Sequence, residues 1–319
     1  MSSRFHDEYR WATERAALFE RRDRALLAVA GNDRTRFLQA MLTNDVKRLP
    51  VGHHLPACLL DAKGRIRAVL RILNRGDLFW IETGSSEKEK LREILEKHVI
   101  ADDVAISGLP DLEVWTLLGP TARELFPASP GSGACGEFPV GTGSACVLAL
   151  ATPVDLTFQI YVKHGVNFPG ICSAAEIRMI GPEAFDALRI EAGEAINGID
   201  FAEENLLPEI PSLEAYVSYT KGCFLGQELI ARLRARGNNV ARRMMGLAIP
   251  GGEDGPAVGC PVHSGAEEVG RITSLCESPK LGSRLALAML PRAVFEPGTE
   301  LTVISAARAI PATVISLPL

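Results

Sequence analysis

The chain has 319 residues, 47% of them apolar and 23% charged, with a formal net charge of −5. It is long enough to outgrow a single core, it has no run of about 18 uninterrupted apolar residues to span a bilayer, and it is too acidic overall for a generic nucleic-acid coat. Seven scattered cysteines without a C-x-x-C pair, and six dispersed histidines, fit neither a secreted disulfide framework nor a local zinc or iron–sulfur site, so no metal site is expected. Arg4, Asp7, Glu8, Arg10, Glu14 and Arg15 interrupt the first twenty residues, which lack the apolar core of a signal peptide. A cytoplasmic location is the resulting expectation, with no membrane partner.

The first predicted element is a strand over Leu26 to Ala30, followed by a turn at Gly31-Asn32. A helix then carries Phe37, Leu38, Met41 and Leu42 on one side, with Asn32 or Asp33 as its cap. Next, Cys58 to Leu60, Ile66 to Leu73 and Leu78 to Glu82, joined by turns at Asp61-Ala62-Lys63-Gly64 and Arg75-Gly76-Asp77, read as an antiparallel meander. In its middle strand Ile66, Ala68, Leu70 and Ile72 share the core face. Lys63, Arg65, Arg67 and Arg71 share the other, which either meets solvent or lines a cavity.

Ser86-Glu87-Lys88-Glu89 has the spacing of a capping box before a helix ending near His98. Further strands are expected over Val104 to Ser107, Leu112 to Leu118, Cys146 to Leu150 and Phe158 to Val162. The Gly-, Pro- and Ser-rich stretch from Pro127 to Gly143 reads as a surface excursion. Ser173 to Glu176 reads as the opening of a short helix, and Pro182 as the first residue of another that carries Phe185, Leu188 and Ile190. Strands and helices without strict alternation favour an α+β class. After Met245, Gly and Pro punctuate short strand-like runs with no long helix, the pattern of a small all-β barrel or sandwich.

The most specific stretch is Lys221-Gly222-Cys223-Phe224-Leu225-Gly226-Gln227-Glu228. It places a thiol between two glycines, beside a lysine and just before a helix read over Glu228 to Arg234, and both the cation and the helix start would favour an ionised thiol. Residue type alone favours an inert packing cysteine; the flanking glycines, which permit unusual dihedrals or close ligand approach, shift the weight toward function. Between Lys221 and Arg243 six basic residues (Lys221, Arg232, Arg234, Arg236, Arg242, Arg243) face one acid, Glu228. That run is either a solvated helix face or a dock for a polyanion.

This octapeptide, together with Leu188-Arg189-Ile190-Glu191-Ala192-Gly193, Gly198-Ile199-Asp200 and Pro208-Glu209, resembles the YgfZ family of folate-binding proteins, a branch of the glycine-cleavage T-protein (aminomethyltransferase) superfamily. The likeness includes Gly31-Asn32-Asp33, Phe37-Leu38-Gln39, Leu42 to Val46 and Leu60 to Arg65 upstream. Downstream it includes Gly270 to Ser274 and Ser278-Pro279.

The resemblance implies a T-protein-like arrangement around a central folate cavity. Residues 1–50 with 151–243 would form one α+β domain, 51–150 a second and 244–319 a C-terminal β-barrel. It also implies tetrahydrofolate or a derivative as cofactor, and Glu191, Gln227 and Lys221 as folate-binding residues. Cys223 would be the reactive group in support of iron–sulfur client enzymes or their assembly factors, including enzymes that modify tRNA.

The aminomethyltransferase branch resembles Lys-x-Asp-Phe-x-Gly-Arg at the octapeptide, where this chain has Cys223 and Gln227. The position of that branch's catalytic aspartate is occupied here by Val69. Three changes at one site speak against glycine cleavage. Two other readings stay open: a folate-dependent one-carbon transferase using Asp61 or Glu191 as base, and a binding module whose Arg234 and Arg236 dock RNA.

Overall fold

A computed structural model describes residues 3–109, 111–127, 131–150, 157–252, 255–306 and 308–319. The chain divides into two compact units, one of residues 1–181 with 215–227 and the other of 182–214 with 228–319.

The first unit opens with helix α1 (Ser3–Glu14) and strand β1 (Ala17–Glu20), followed by β2 (Arg24–Ala30) and α2 (Arg34–Met41). The meander forms as β3 (His54–Leu60), β4 (Ile66–Asn74) and β5 (Phe79–Gly84), each antiparallel to the next. After α3 (Lys88–His98), β6 (Ala105–Gly108) pairs with β2, giving a five-stranded sheet in the order β3-β4-β5-β2-β6. Strands β7 (Leu112–Leu118), β8 (Cys135–Val140), β9 (Gly143–Leu150) and β10 (Thr157–Lys163) follow, then α4 (Phe168–Ala174) and β11 (Arg178–Met179). With β1 these strands make a six-stranded sheet ordered β11-β1-β7-β10-β9-β8.

The boundary drawn at residue 50 therefore falls inside the five-stranded sheet, because β2 lies before it and pairs with β5 and β6 beyond it. Alternation on β4 is as read: Ile66, Ala68, Leu70 and Ile72 are buried, while Arg67, Val69 and Arg71 are half-buried on the other face. The core of this sheet gathers Leu27, Phe37, Leu38, Leu59, Leu70, Ile81, Leu91 and Leu95 from strands and helices. A second core under the six-stranded sheet takes Trp115, Leu117, Val147, Phe158 and Phe168. A third, smaller cluster of Leu26, Leu73, Val114, Cys146, Leu148 and Tyr161 joins the two sheets. Beside it the buried Glu82 carboxylate accepts from Arg24 Nε at 2.7 Å and from the Tyr161 hydroxyl. Such a carboxylate is tolerable inside only because its acceptors are met.

Four local readings are corrected. Asp33 stands at the N-cap of α2 but its carboxylate makes no capping bond to the helix N–H groups; it accepts from the Asp103 N–H at 2.9 Å and pairs with Arg36 at 3.2 Å. Ser86 does not cap α3, which begins behind Glu87, whose carboxylate accepts from Thr83 Oγ1. Ser173 to Glu176 closes α4 rather than opening a helix: Asn167 caps the start, accepting from the Gly170 N–H at 3.1 Å, and Glu176 leaves at φ 59°. The stretch read as a surface excursion contains β8, whose Gly and Pro content masks its pairing with β9.

The second unit begins with α5 (Pro182–Glu191) and, after a series of short 3-10 turns, α6 (Gln227–Ala235), whose first residue belongs to the first unit. Strands β12 (Arg242–Ile249), β13 (Pro261–Ser264), β14 (Glu267–Ser278), β15 (Ser283–Pro291), β16 (Glu300–Ser305) and β17 (Arg308–Ile315) close a barrel in the order β12-β15-β14-β13-β16-β17. Closure leaves no free sheet edge. The barrel is filled by Leu247, Ile249, Val262, Ile272, Ala286, Leu290, Val303 and Val314. Among the described residues no helix is long and apolar enough to cross a membrane.

Candidate functional site

The octapeptide is anchored to the first unit at three points. The Lys221 ammonium donates to the carbonyls of Gln39 (2.6 Å), Leu42 and Asn44 (2.8 Å), at and beyond the end of α2, where helix carbonyls lack internal partners. Leu225 donates its N–H to the Ala40 carbonyl at 3.0 Å and packs its side chain into the core of the five-stranded sheet. Gly226, at φ 78°, lies against the Asp61 turn so closely that a Cβ there would stand 2.3 Å from the Asp61 carbonyl oxygen. The separate motifs Phe37-Leu38-Gln39, Leu42 to Val46 and Leu60 to Arg65 thus form the cradle of the octapeptide.

Between those anchors Cys223 is exposed. All seven cysteines lie among the described residues. Cys58, Cys146, Cys172 and Cys276 are buried, Cys135 and Cys260 half-buried, and only Cys223 is exposed. Burial raises the thiols of Cys172 and Cys276 to about 12, so they are poor nucleophiles at neutral pH.

Lys221, whose charge was expected to favour the Cys223 thiolate, makes its hydrogen bonds elsewhere. All three ammonium hydrogens are taken by backbone carbonyls. Burial lowers the lysine to about 8, opposed by Asp45. Lys221 shapes the loop rather than donating to the sulfur. Gln227 also serves the loop, its Oε1 accepting from the Phe224 N–H at 3.2 Å, while its Nε2 has no partner among the described residues.

Glu191 ends α5 in the second unit and is 5% exposed. Its Oε1 accepts from the Ser278 hydroxyl and, at 3.4 Å, from the Lys280 N–H. Ser278 in turn accepts from the Leu281 N–H at 3.0 Å, so the turn after β14 holds the carboxylate.

One polar cluster that sequence reasoning left unassigned stands beside it. Arg189 donates through Nε to Asp186 at 2.5 Å, through Nη1 to the Glu194 carbonyl (3.2 Å) and Asp200 (3.3 Å), and through Nη2 to Ser274 Oγ (2.9 Å). Asp200 also accepts from Thr273 Oγ1 at 2.7 Å and from the Ile196 N–H at 2.9 Å. Arg189, Asp200 and the pair Thr273-Ser274 belong to three separately recognised motifs. Their common task is to fasten α5 to β14 of the barrel, and their sequence spacing alone did not reveal it.

The alternative base is poorly placed for proton abstraction. Asp61 Oδ1 accepts from the N–H groups of Lys63 (2.8 Å) and Arg65 (2.9 Å), and Oδ2 from Arg67 at 2.7 Å. Burial opposes its ionisation, yet these donors hold it below the usual carboxylate range. Val69 stands on the same face of β4 between Arg67 and Arg71.

The basic stretch after the octapeptide is not one continuous face. Arg232 pairs with Glu228 at 2.7 Å, and Arg242 with buried Glu209 at 3.2 Å. Arg236 and Arg243 line a cavity of about 210 Å³ together with Asn238 and Arg292, Arg243 lying over the Phe295 ring at 4.8 Å.

Comparison with known proteins agrees with this architecture. Residues 1–149 match the GCVT N-terminal domain, and residues 242–319 match the glycine cleavage T-protein C-terminal barrel domain. The chain is 32% identical over 240 residues to the tRNA-modifying protein YgfZ of Klebsiella pneumoniae (strain 342), covering 68% of this chain and 67% of that one. It is 29% identical over 245 residues to the tRNA-modifying protein YgfZ of Yersinia enterocolitica serotype O:8 / biotype 1B, covering 74% and 72%. In fold it is similar to the glycine cleavage system aminomethyltransferase T from Bartonella henselae, with a TM-score of 0.85, 21% identity and coverage of 98% and 89%. With its N-terminal T-protein domain, its closed terminal barrel and a cysteine in the octapeptide, the chain belongs to the YgfZ family, on a glycine cleavage T-protein fold.

Proposed function

We propose that this protein is a cytoplasmic, tetrahydrofolate-binding accessory factor that supports the assembly or repair of iron–sulfur enzymes, among them enzymes that modify tRNA, with Cys223 as its reactive group. The observation that carries this reading is the exposed thiol on a loop whose backbone is fixed on both sides, by Lys221 on the end of α2 and by Gly226 on the Asp61 turn. A packing cysteine needs no such frame, whereas a sulfur that must meet a partner at a set position does. The tRNA-modifying names of the relatives and the T-protein domains support the same assignment.

Glu191 is the residue proposed to meet the pterin, whose paired N–H edge a carboxylate can accept. Gln227 offers its Nε2 as a further donor to folate, and Lys221 contributes by holding the loop. A folate-dependent one-carbon transferase on this frame would lack the carboxylate replaced by Val69, and Asp61 is committed to Arg67 and to its own turn.

In cells lacking this protein, wild type is expected to restore the activity of an iron–sulfur tRNA-modifying enzyme and Cys223→Ser to leave it unrestored. Full restoration by Cys223→Ser removes the thiol from the function. Transfer of a methyl group from an amine to tetrahydrofolate by the purified protein would establish the transferase instead.

A further inference from the structure

A pair of sulfurs lies in the first unit, away from the octapeptide motif. Strand β8 is the outer strand of the six-stranded sheet and pairs only with β9. In that ladder Cys135 stands opposite Leu148 and Glu137 opposite Cys146, so the two cysteines are diagonal neighbours on one face.

Arg75, from the turn between β4 and β5, donates through Nη1 to Cys146 Sγ at 3.0 Å and through Nη2 to the Glu137 carboxylate. Its guanidinium also lies over the Trp80 ring at 4.5 Å. Cys135 is half-buried and its N–H donates to the Gly52 carbonyl at 2.7 Å; Cys146 is buried in the cluster that joins the two sheets.

The two sulfurs are unequal. The neighbouring Cys146 thiol favours the Cys135 thiolate; burial opposes it, and Arg75 and His53 add to the favourable side. The Cys135 thiol and burial push Cys146 the other way, against the Arg75 charge. Ionisation is thereby concentrated on the more accessible sulfur. That is the asymmetry of an attacking and a resolving thiol. Two cysteines that merely fill a core need no guanidinium aimed at sulfur.

We propose that Cys135 and Cys146 form a dithiol–disulfide pair, Cys135 attacking and Cys146 resolving, with a low-molecular-weight disulfide such as glutathione disulfide as the oxidant. The Cys135 thiolate attacks one sulfur of the small disulfide. That S–S bond breaks, one small thiolate departs with the electron pair, and Cys135 is left in a mixed disulfide. Cys146 then attacks the Cys135 sulfur, its proton passing to the second departing thiolate. Two protein thiols are oxidised to one disulfide, and one small disulfide is reduced to two small thiols.

Diagonal neighbours in an antiparallel pair stand roughly 7–8 Å apart at Cα, and a disulfide spans at most about 6.8 Å. Closure therefore draws β8 inward by about 1 Å; no further strand lies beyond it, and the bond from the Cys135 N–H to the Gly52 carbonyl has to lengthen or follow.

The test is incubation of the reduced full-length protein with glutathione disulfide, alkylation of the remaining thiols and peptide mapping by mass spectrometry. Wild type is expected to yield a linked Cys135–Cys146 peptide. Cys146→Ser should accumulate a glutathione adduct on Cys135, Cys135→Ser should leave Cys146 unmodified, and Arg75→Met should slow the first step about tenfold.

The proposal is overturned if Cys135 stays reduced while Cys223 is fully modified, if the adduct forms on Cys146 first, or if an adduct on wild-type Cys135 never converts to the linked form. The wild-type result decides by itself where a variant does not fold.

Discussion

Gly226 rests on Asp61: a side chain at position 226 would meet the Asp61 carbonyl oxygen at 2.3 Å and Leu60 Cβ at 3.0 Å. The glycine is thus required twice, by its positive φ of 78° and by the approach of two backbones that brings the octapeptide onto the Asp61 turn. Gly222 has a positive φ of 95° but no heavy atom within 4 Å of where its Cβ would be. Gly226→Ala is therefore expected to destabilise the fold by about 3 kcal/mol and Gly222→Ala by about 1–2 kcal/mol, the difference being the clash. Denaturant midpoints of the two variants check this, and equal losses would contradict the close packing of Gly226.

Lys221→Met leaves the Gln39, Leu42 and Asn44 carbonyls without their common donor. A loss of about 2–3 kcal/mol is expected. The Leu225 amide, bonded to Ala40, should lose protection from hydrogen exchange as the loop loosens. A variant as stable as wild type with Leu225 still protected would mean that the ammonium does not hold the loop.

His54 should make stability pH-dependent. Its Nε2 lies 3.1 Å from the Ala149 carbonyl oxygen and its Nδ1 3.2 Å from Arg71 Nη1, an arrangement the neutral Nε2–H tautomer satisfies at both ends. Burial first, and the Arg71 charge second, lower this histidine to about 4. Between its ordinary value near 6.5 and about 4 the unfolded chain takes up a proton that the folded chain refuses. Stability from this group is therefore full above about pH 6.5 and falls as the pH drops, by up to about 3 kcal/mol at pH 4. Urea unfolding at about pH 7 and pH 4.5 should show a smaller difference between the two pH values in His54→Gln than in wild type. An identical difference would contradict the assignment.

Local pattern carried far into this fold. Alternation of Ile66, Ala68, Leu70 and Ile72 with Arg67 and Arg71 located β4 and its buried face, and the helix read over Glu228 to Arg234 falls within α6. What sequence could not supply was long-range partnership. A lysine beside a cysteine reads as help for the thiol, yet the end of α2, some 180 residues upstream, claims every hydrogen of that ammonium. Arg189 carried no assigned role in the sequence, and it is buried because Asp200 and Ser274 arrive from other segments to meet it. The strand β8 was hidden by Gly136 and Pro139, residues that weaken a strand's local signal but are tolerated on an outer strand.

The most direct measurement is a calorimetric titration of the purified protein with tetrahydrofolate in wild type, Glu191→Gln and Cys223→Ser. Saturable binding is expected in wild type and Cys223→Ser, weakened about tenfold or more in Glu191→Gln, where one pterin hydrogen bond to a charged acceptor becomes neutral. Absence of binding by wild type, or equal affinity in Glu191→Gln, would contradict the account and leave Glu191 as a structural tie between α5 and the turn at Ser278.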